Sequence, residues 1–455
     1  MAPPHLAYIA WGFPPSRSGG AYRQLATANA FAQAGWQVSV ITVDRAVFTK
    51  ITGADLSLES HLDPRVVVRR TKFAWPLRNP DRATWTLPHR LAPRLWRKGR
   101  ALTELALFPE VGYATWLRPL TMALRAIDHQ TPIDLVLASG NPFVSFAAAR
   151  RFARRRTVPY VLDYRDAWTL DQFTGLTRYG PSSRPGRIER RLIGGAAQVW
   201  FVNQATLDWH AARYPLSVDR FRVVANGWDP EFVRFTPVPQ PVARPMTFGF
   251  LGTISVKVPL AQLLEGWRLA KASGLIPPNA LLKVAGYLGY FGQASSPDED
   301  PTAKLLDQAK PDGVEFVGPV PKAQVADYYA SLDALVLAIE AGPHVTTGKV
   351  FEYVATAKPI VSVHPRQAAA SEVLDGYPLW APAASLTGPA VADALGQAAR
   401  LIADLTPQQT DTAKAHAAQF KRAAQLAGPI AELATLVGPC PLTDGSAATG
   451  SRTVT

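Results

Sequence analysis

Short apolar runs alternate with helical stretches twice along this chain, and the two series are parted by a stretch that can belong to neither. Residues 237–245 read Pro-Val-Pro-Gln-Pro-Val-Ala-Arg-Pro. Each proline lacks a backbone N–H and fixes φ, so this stretch cannot be the inside of a helix or of a central strand. A strand–helix–strand rhythm on both sides of such a break predicts two doubly wound parallel sheets. The length of 455 residues agrees, because single cores rarely grow past about 250–300 residues.

The first series opens with Leu6–Ala10 as a buried strand, a Pro/Gly/Ser loop, a helix over 21–34 stopped by Gly35, and a strand at Val38–Thr42. Strands are expected again at 134–138, 160–163, 198–202 and 222–224, with a helix over 143–155. Residues 71–117 carry Trp75, Trp85, Trp96, Trp116 and several prolines, and read as a long irregular excursion. The second series has strands at 247–252, 281–286, 314–318, 334–338 and 359–363, a helix at 258–272, and alanine-rich helix over 394–437. The predicted organisation is therefore an N-terminal domain over 1–236, a linker over 237–245 and a second domain over 246–425. A terminal helix free to return to the N-terminal domain, and a tail that reads as disordered, occupy 426–455.

Charge narrows the partners. The net charge is +13, and the basic residues cluster at 89–100, 150–156 and 184–191. Such clusters are either solvated faces or docking sites for an anionic membrane or acceptor. No zinc-finger or RNP-type pattern accompanies them, so no specific nucleic-acid partner is expected. Cys440 is the only cysteine, which excludes an internal disulfide and a cysteine-cluster zinc site. The start MAPPHLAYIAW lacks the basic and apolar regions of a signal peptide. No apolar run approaches the roughly 20 residues of a membrane span. The expectation is a cytoplasmic protein, open to peripheral contact with the inner face of the membrane.

Two loops carry chemistry. Phe13 to Arg23 places Gly19 and Gly20 between a strand and a helix, where backbone N–H groups and the helix dipole can meet an anion. Arg23, in the first turn, is a candidate for a phosphate or acceptor contact. A tight turn explains the same glycines without any ligand. The second loop, His344 to Val361, follows a strand and opens a helix. Lys349 and Glu352, three apart, share one helix face, and Thr346, Thr347 and Gly348 offer hydroxyls and free N–H groups at its start. A cation with helix-end donors suits a diphosphate, and a carboxylate one turn on suits the two hydroxyls of a ribose.

These residues resemble the donor-binding segment of retaining GT-B glycosyltransferases of the family 4-like group, through Gly348-Lys349-Val350-Phe351-Glu352-Tyr353 and Ala357-Lys358-Pro359-Ile360-Val361. Phe13-Pro14-Pro15 with Gly19-Gly20, the segment Tyr160–Trp168, the turn Asn226-Gly227-Trp228-Asp229 and the strand Phe250-Leu251-Gly252-Thr253 resemble further parts of the group in the expected order, from about residue 6 to 425.

The resemblance implies a hexosyltransferase moving a sugar from a nucleotide-sugar donor to an acceptor (glycan, lipid-linked or small molecule), with retention and with neither metal nor other cofactor. It implies catalytic roles for Lys349 and Asp166. It implies donor contacts for Gly19, Gly20, Gly252, Lys257, His344, Thr346, Thr347, Gly348 and Glu352, and an acceptor side formed by Arg23, Arg165 and Trp168. Two positions depart from the group's pattern: His344 stands where many members have a glutamate, and Thr253 where many have an arginine. A nucleotide-sugar epimerase on the same fold, an inactive relative and a basic polyanion-binding module are the competing readings.

Overall fold

The computed structural model describes residues 2–75, 77, 82–233, 244–289 and 301–437. Two wholly parallel sheets form the core. The first contains β1 (His5–Ile9), β2 (Gln37–Val43), β3 (Val66–Thr71), β4 (Leu135–Gly140), β5 (Tyr160–Tyr164), β6 (Gln198–Phe201) and β7 (Phe221–Val223), in the order β3-β2-β1-β4-β5-β6-β7. The second contains β8 (Thr247–Leu251), β9 (Leu281–Ala285), β10 (Val314–Gly318), β11 (Ala334–Ala338), β12 (Ile360–Val363) and β13 (Trp380–Pro382), in the order β10-β9-β8-β11-β12-β13. Both orders reverse direction beside their first strand, between β1 and β4 and between β8 and β11. A crevice opens there at the carboxyl ends of the strands.

The central strands read as continuous apolar runs because helices cover both faces. All five residues of β1, β5, β8 and β11 are buried. Two edge strands escape the sequence reading. In β3 only Val66 is buried, so Val-Val-Val-Arg-Arg-Thr has no full core signature, and β13 has just three residues.

The 71–117 segment is less irregular than its prolines suggest. A 15-residue helix, Pro93–Leu107, runs through it. Pro93 stands at the helix start, where its missing N–H would have had no partner. The expected helix over 394–437 is three helices, Gly388–Ala403, Pro407–Ala418 and Arg422–Val437. Thr406 and Gln409 form a capping box that restarts the chain at the second.

The helix Arg422–Val437 lies on the N-terminal sheet. Its Leu426, Ile430 and Leu433 are buried in one cluster with Phe31, Trp36 and Val38. The return is anchored by Arg422, which donates to the Asn226 carbonyl and pairs with Asp229. Residues 237–243 of the expected linker and the tail 438–455 lie outside the described residues. Past them, Arg244 Nη1 donates to Asp333 Oδ2 at 2.9 Å, and the Thr247 N–H donates to the same oxygen at 2.8 Å. That carboxylate fixes the entry into β8.

Candidate active site in the interdomain cleft

The loop after β11 opens the helix Gly348–Ala355. Thr347 caps it by accepting the Lys349 N–H. Lys349, in the first turn, and Glu352, one turn on, share a helix face, and Lys349 Nζ donates to Glu352 Oε2 at 2.9 Å. Two residues that sequence reasoning missed complete the group. Lys322 Nζ donates to Glu352 Oε1 at 2.9 Å, and the Tyr329 hydroxyl donates to Oε2 at 2.7 Å. Burial by itself would raise the Glu352 pKa, but Lys349 and Lys322 outweigh it and hold the carboxyl well below the usual range. Lys322 feels the converse: burial lowers its pKa, against the pull of Glu352.

Lys322 also faces the N-terminal domain. Its ammonium lies 4.8 Å from the centre of the Tyr22 ring and 5.4 Å from that of Phe232. Other contacts cross the same cleft. Asn203 Nδ2 donates to Thr346 Oγ1 at 2.9 Å, and Asn226 Nδ2 to the Thr346 carbonyl at 3.2 Å. The Thr206 hydroxyl donates to the His344 carbonyl at 3.4 Å, and burial lowers the pKa of the His344 ring. Arg17 Nη1 donates to the Tyr287 hydroxyl at 3.3 Å. Lys257 Nζ sits 4.7 Å from the centre of the Phe173 ring. The cleft thus brings cations from both domains to the carboxyl ends of the strands.

On the N-terminal side, Gly19 and Gly20 start the helix Gly19–Gln33. Arg165 follows β5, lies against the Gly20 backbone and pairs with Asp166. Asp166 Oδ1 also accepts Gln172 Nε2 at 3.4 Å. Gly252 follows β8 and lies beside Gly286, where a Cβ would stand 1.7 Å from the Gly252 carbonyl oxygen. The two chains therefore touch backbone to backbone. No atom lies within 4 Å of where a Cβ on Gly348 would be, so that helix start is open.

Three expected site residues are differently employed. Arg23 points inward, only 3% exposed, with its guanidinium on Asp163 and on the Val224 and Ala225 carbonyls. Its place in the first turn gave no sign of the buried carboxylate waiting for it on β5. Trp168 is buried and stacked between Phe108 and Phe143 at 5.2 and 5.4 Å. The Thr346 hydroxyl accepts from Asn203 Nδ2, a contact within the protein. Among the described residues, no three His, Cys, Asp or Glu side chains stand together as a metal site would need.

Residues 18–227 match the family described as glycosyl transferase 4-like domain. No curated protein matches the chain in sequence. Among solved structures, a glycosyltransferase from Rickettsia africae is 12% identical, with a TM-score of 0.65 over 97% of this chain and 100% of that one. HepE from Anabaena, solved in complex with UDP, is 15% identical, with a TM-score of 0.62 over 95% and 100%. A putative UDP-N-acetylglucosamine 2-epimerase from Listeria monocytogenes is 11% identical, with a TM-score of 0.55 over 96% and 97%. Residues 18–227 are thus similar to a glycosyl transferase 4-like domain, and the chain as a whole has the two-domain GT-B fold.

Proposed function

We propose that the protein is a glycosyltransferase that takes a sugar from a nucleoside-diphosphate-sugar, most simply a UDP-sugar, and passes it with retention of configuration to a hydroxyl acceptor. The observation that carries this reading is Glu352, held ionised one turn into the helix Gly348–Ala355 by Lys322, Lys349 and Tyr329. An ionised carboxylate has about four acceptor positions, and three are filled here. When Lys349 turns to a diphosphate it frees another, leaving two for a ribose diol. Solved structures of HepE contain UDP and UDP-glucose, which supports the choice of base.

The reaction breaks the bond between the anomeric carbon and the diphosphate and forms one to the acceptor oxygen, whose proton passes to the departing phosphate. Negative charge grows on the leaving diphosphate. Lys349 and the N-terminal end of the helix at Gly348 are the means of stabilising it. The Gly19-Gly20 turn from across the cleft, and Lys257 from the same domain, supply further donors. Asp166 and Arg165 stand on the acceptor side. No cofactor is assigned to this chemistry, and turnover should persist in the presence of a chelator.

The test is thermal unfolding with UDP, GDP and their sugars. A ligand at 100 times its Kd stabilises by about 2.7 kcal/mol. One nucleotide sugar should raise the midpoint in the wild type and fail to do so in Glu352→Gln; no response to any of them would overturn the proposal. The epimerase likeness gives a second reading, which predicts conversion of the donor without acceptor and without release of UDP.

A further inference from the structure

The helix Pro93–Leu107 is packed inside out. Of its side chains the buried one is Glu104, 1% exposed, which accepts Arg100 Nε at 2.9 Å and the Gly112 N–H. Its leucines face solvent: Leu95 is 72% exposed and Leu102 67%. Leu87 and Leu91 of the preceding helix Leu87–Leu91 are 68% and 76% exposed. Leu95 and Leu102 are seven apart, so they lie on one face of the helix, with Lys98 between them. A helix in water normally buries its leucines and exposes its carboxylate.

This arrangement is fastened to the protein rather than frayed from it. His89 is stacked between Trp85 and Trp96, with centroids 3.8 and 3.9 Å away, which joins the two helices. Arg184, from the neighbouring basic cluster, donates to the Leu105 and Ala106 carbonyls and so ties down the helix end. The next residue, Phe108, stacks on Trp168, two positions past Asp166. The leucine face thus stays outward while the helix is anchored beside the N-terminal wall of the cleft.

We infer that the outward face of residues 87–107 is a docking surface for an anionic lipid bilayer, with the leucines entering the acyl boundary and the arginines and lysine meeting headgroups. Charge selects this occupant. Between Arg82 and Leu107 the chain carries Arg82, Arg90, Arg94, Arg97, Lys98 and Arg100 against Glu104 alone, and Glu104 is buried. Apolar residues interleaved with such a cluster suit an interfacial helix on an acidic membrane. A second copy on the same face would set like charges against each other across a two-fold axis. A nucleic acid would have no use for the leucines.

The experiment is co-sedimentation of the full chain with vesicles of phosphatidylcholine alone or with about a third phosphatidylglycerol. The wild type should pellet with the anionic vesicles and stay in solution with the neutral ones. Leu95→Glu with Leu102→Glu, and separately Arg94→Glu with Lys98→Glu, should each weaken binding by about tenfold or more, with unfolding midpoints unchanged because all four side chains are exposed. Equal partition to both lipids, or no binding to either, would overturn the inference. So would full binding by the leucine variant, which would mean surface charge alone. A wild-type dimer without lipid that the leucine variant converts to monomer would assign the face to a second copy instead.

Discussion

The Arg165 guanidinium lies so close to the backbone of Gly20 that a Cβ there would meet its Nε, Cδ and Cζ at 2.9, 3.0 and 3.1 Å. The glycine at the start of the first helix is thereby coupled to the residue that follows β5, and both stand at the carboxyl ends of the strands of the N-terminal sheet. Gly20→Ala should displace Arg165 and with it the paired Asp166. We expect turnover to fall about tenfold, the equivalent of 1.4 kcal/mol. Global stability should barely move, since alanine is the better helix former. Steady-state kinetics alongside a melting curve measures both; unchanged turnover would mean that Arg165 has no part in the reaction.

Arg23 makes the opposite prediction. It and Asp163 form an ion pair with 4% and 0% of their side chains exposed. Removing one member of a buried pair strands the other and costs about 3–5 kcal/mol. Arg23→Gln should therefore be strongly destabilised in urea unfolding. A variant of wild-type stability that cannot bind substrate would return Arg23 to the ligand.

Glu110 should make stability depend on pH. Its carboxylate accepts the Phe143 and Val144 N–H groups at 2.9 and 2.7 Å, at the start of the helix Val144–Arg156. Burial still raises its pKa to about 7. The folded state holds this proton more tightly than the unfolded chain does. The contribution is complete below the ordinary carboxyl pKa and disappears as pH rises through about 7. Glu110→Gln, which cannot ionise, should gain on the wild type between pH 5 and pH 8 by on the order of 1–3 kcal/mol. A pH-independent difference between the two proteins would remove Glu110 as the source.

Lys358 belongs to the same motif as Glu352 but serves the fold. Its ammonium donates to the Tyr329, Ala330 and Leu332 carbonyls, and burial lowers its pKa to about 8. Lys358→Met should leave those acceptors without a donor and cost about 2–4 kcal/mol. Because Tyr329 also holds Glu352, the loss should weaken donor binding in step with stability. Calorimetry and a ligand titration on the same variant would show whether the two move together.

The local sequence determined the two-sheet architecture, the helix start at residues 347–348 and the Lys349–Glu352 pair. Each rests on short-range signals: continuous apolar runs for strands covered on both faces, proline and glycine at breaks, and a three-residue spacing that puts two charges on one helix face. Tertiary structure alone decided which polar groups far apart in the chain meet. Lys322 and Tyr329 reach Glu352 from 30 and 23 residues away, and Asn203 meets Thr346 across 143. Arg23 turns to a carboxylate 140 residues on, and the last helix crosses back to the first sheet. Periodicity records how much of a side chain is buried, because burial acts on each residue through its own neighbourhood. It does not record the partner, because long-range pairing is settled only when strands far apart in the chain come to lie side by side.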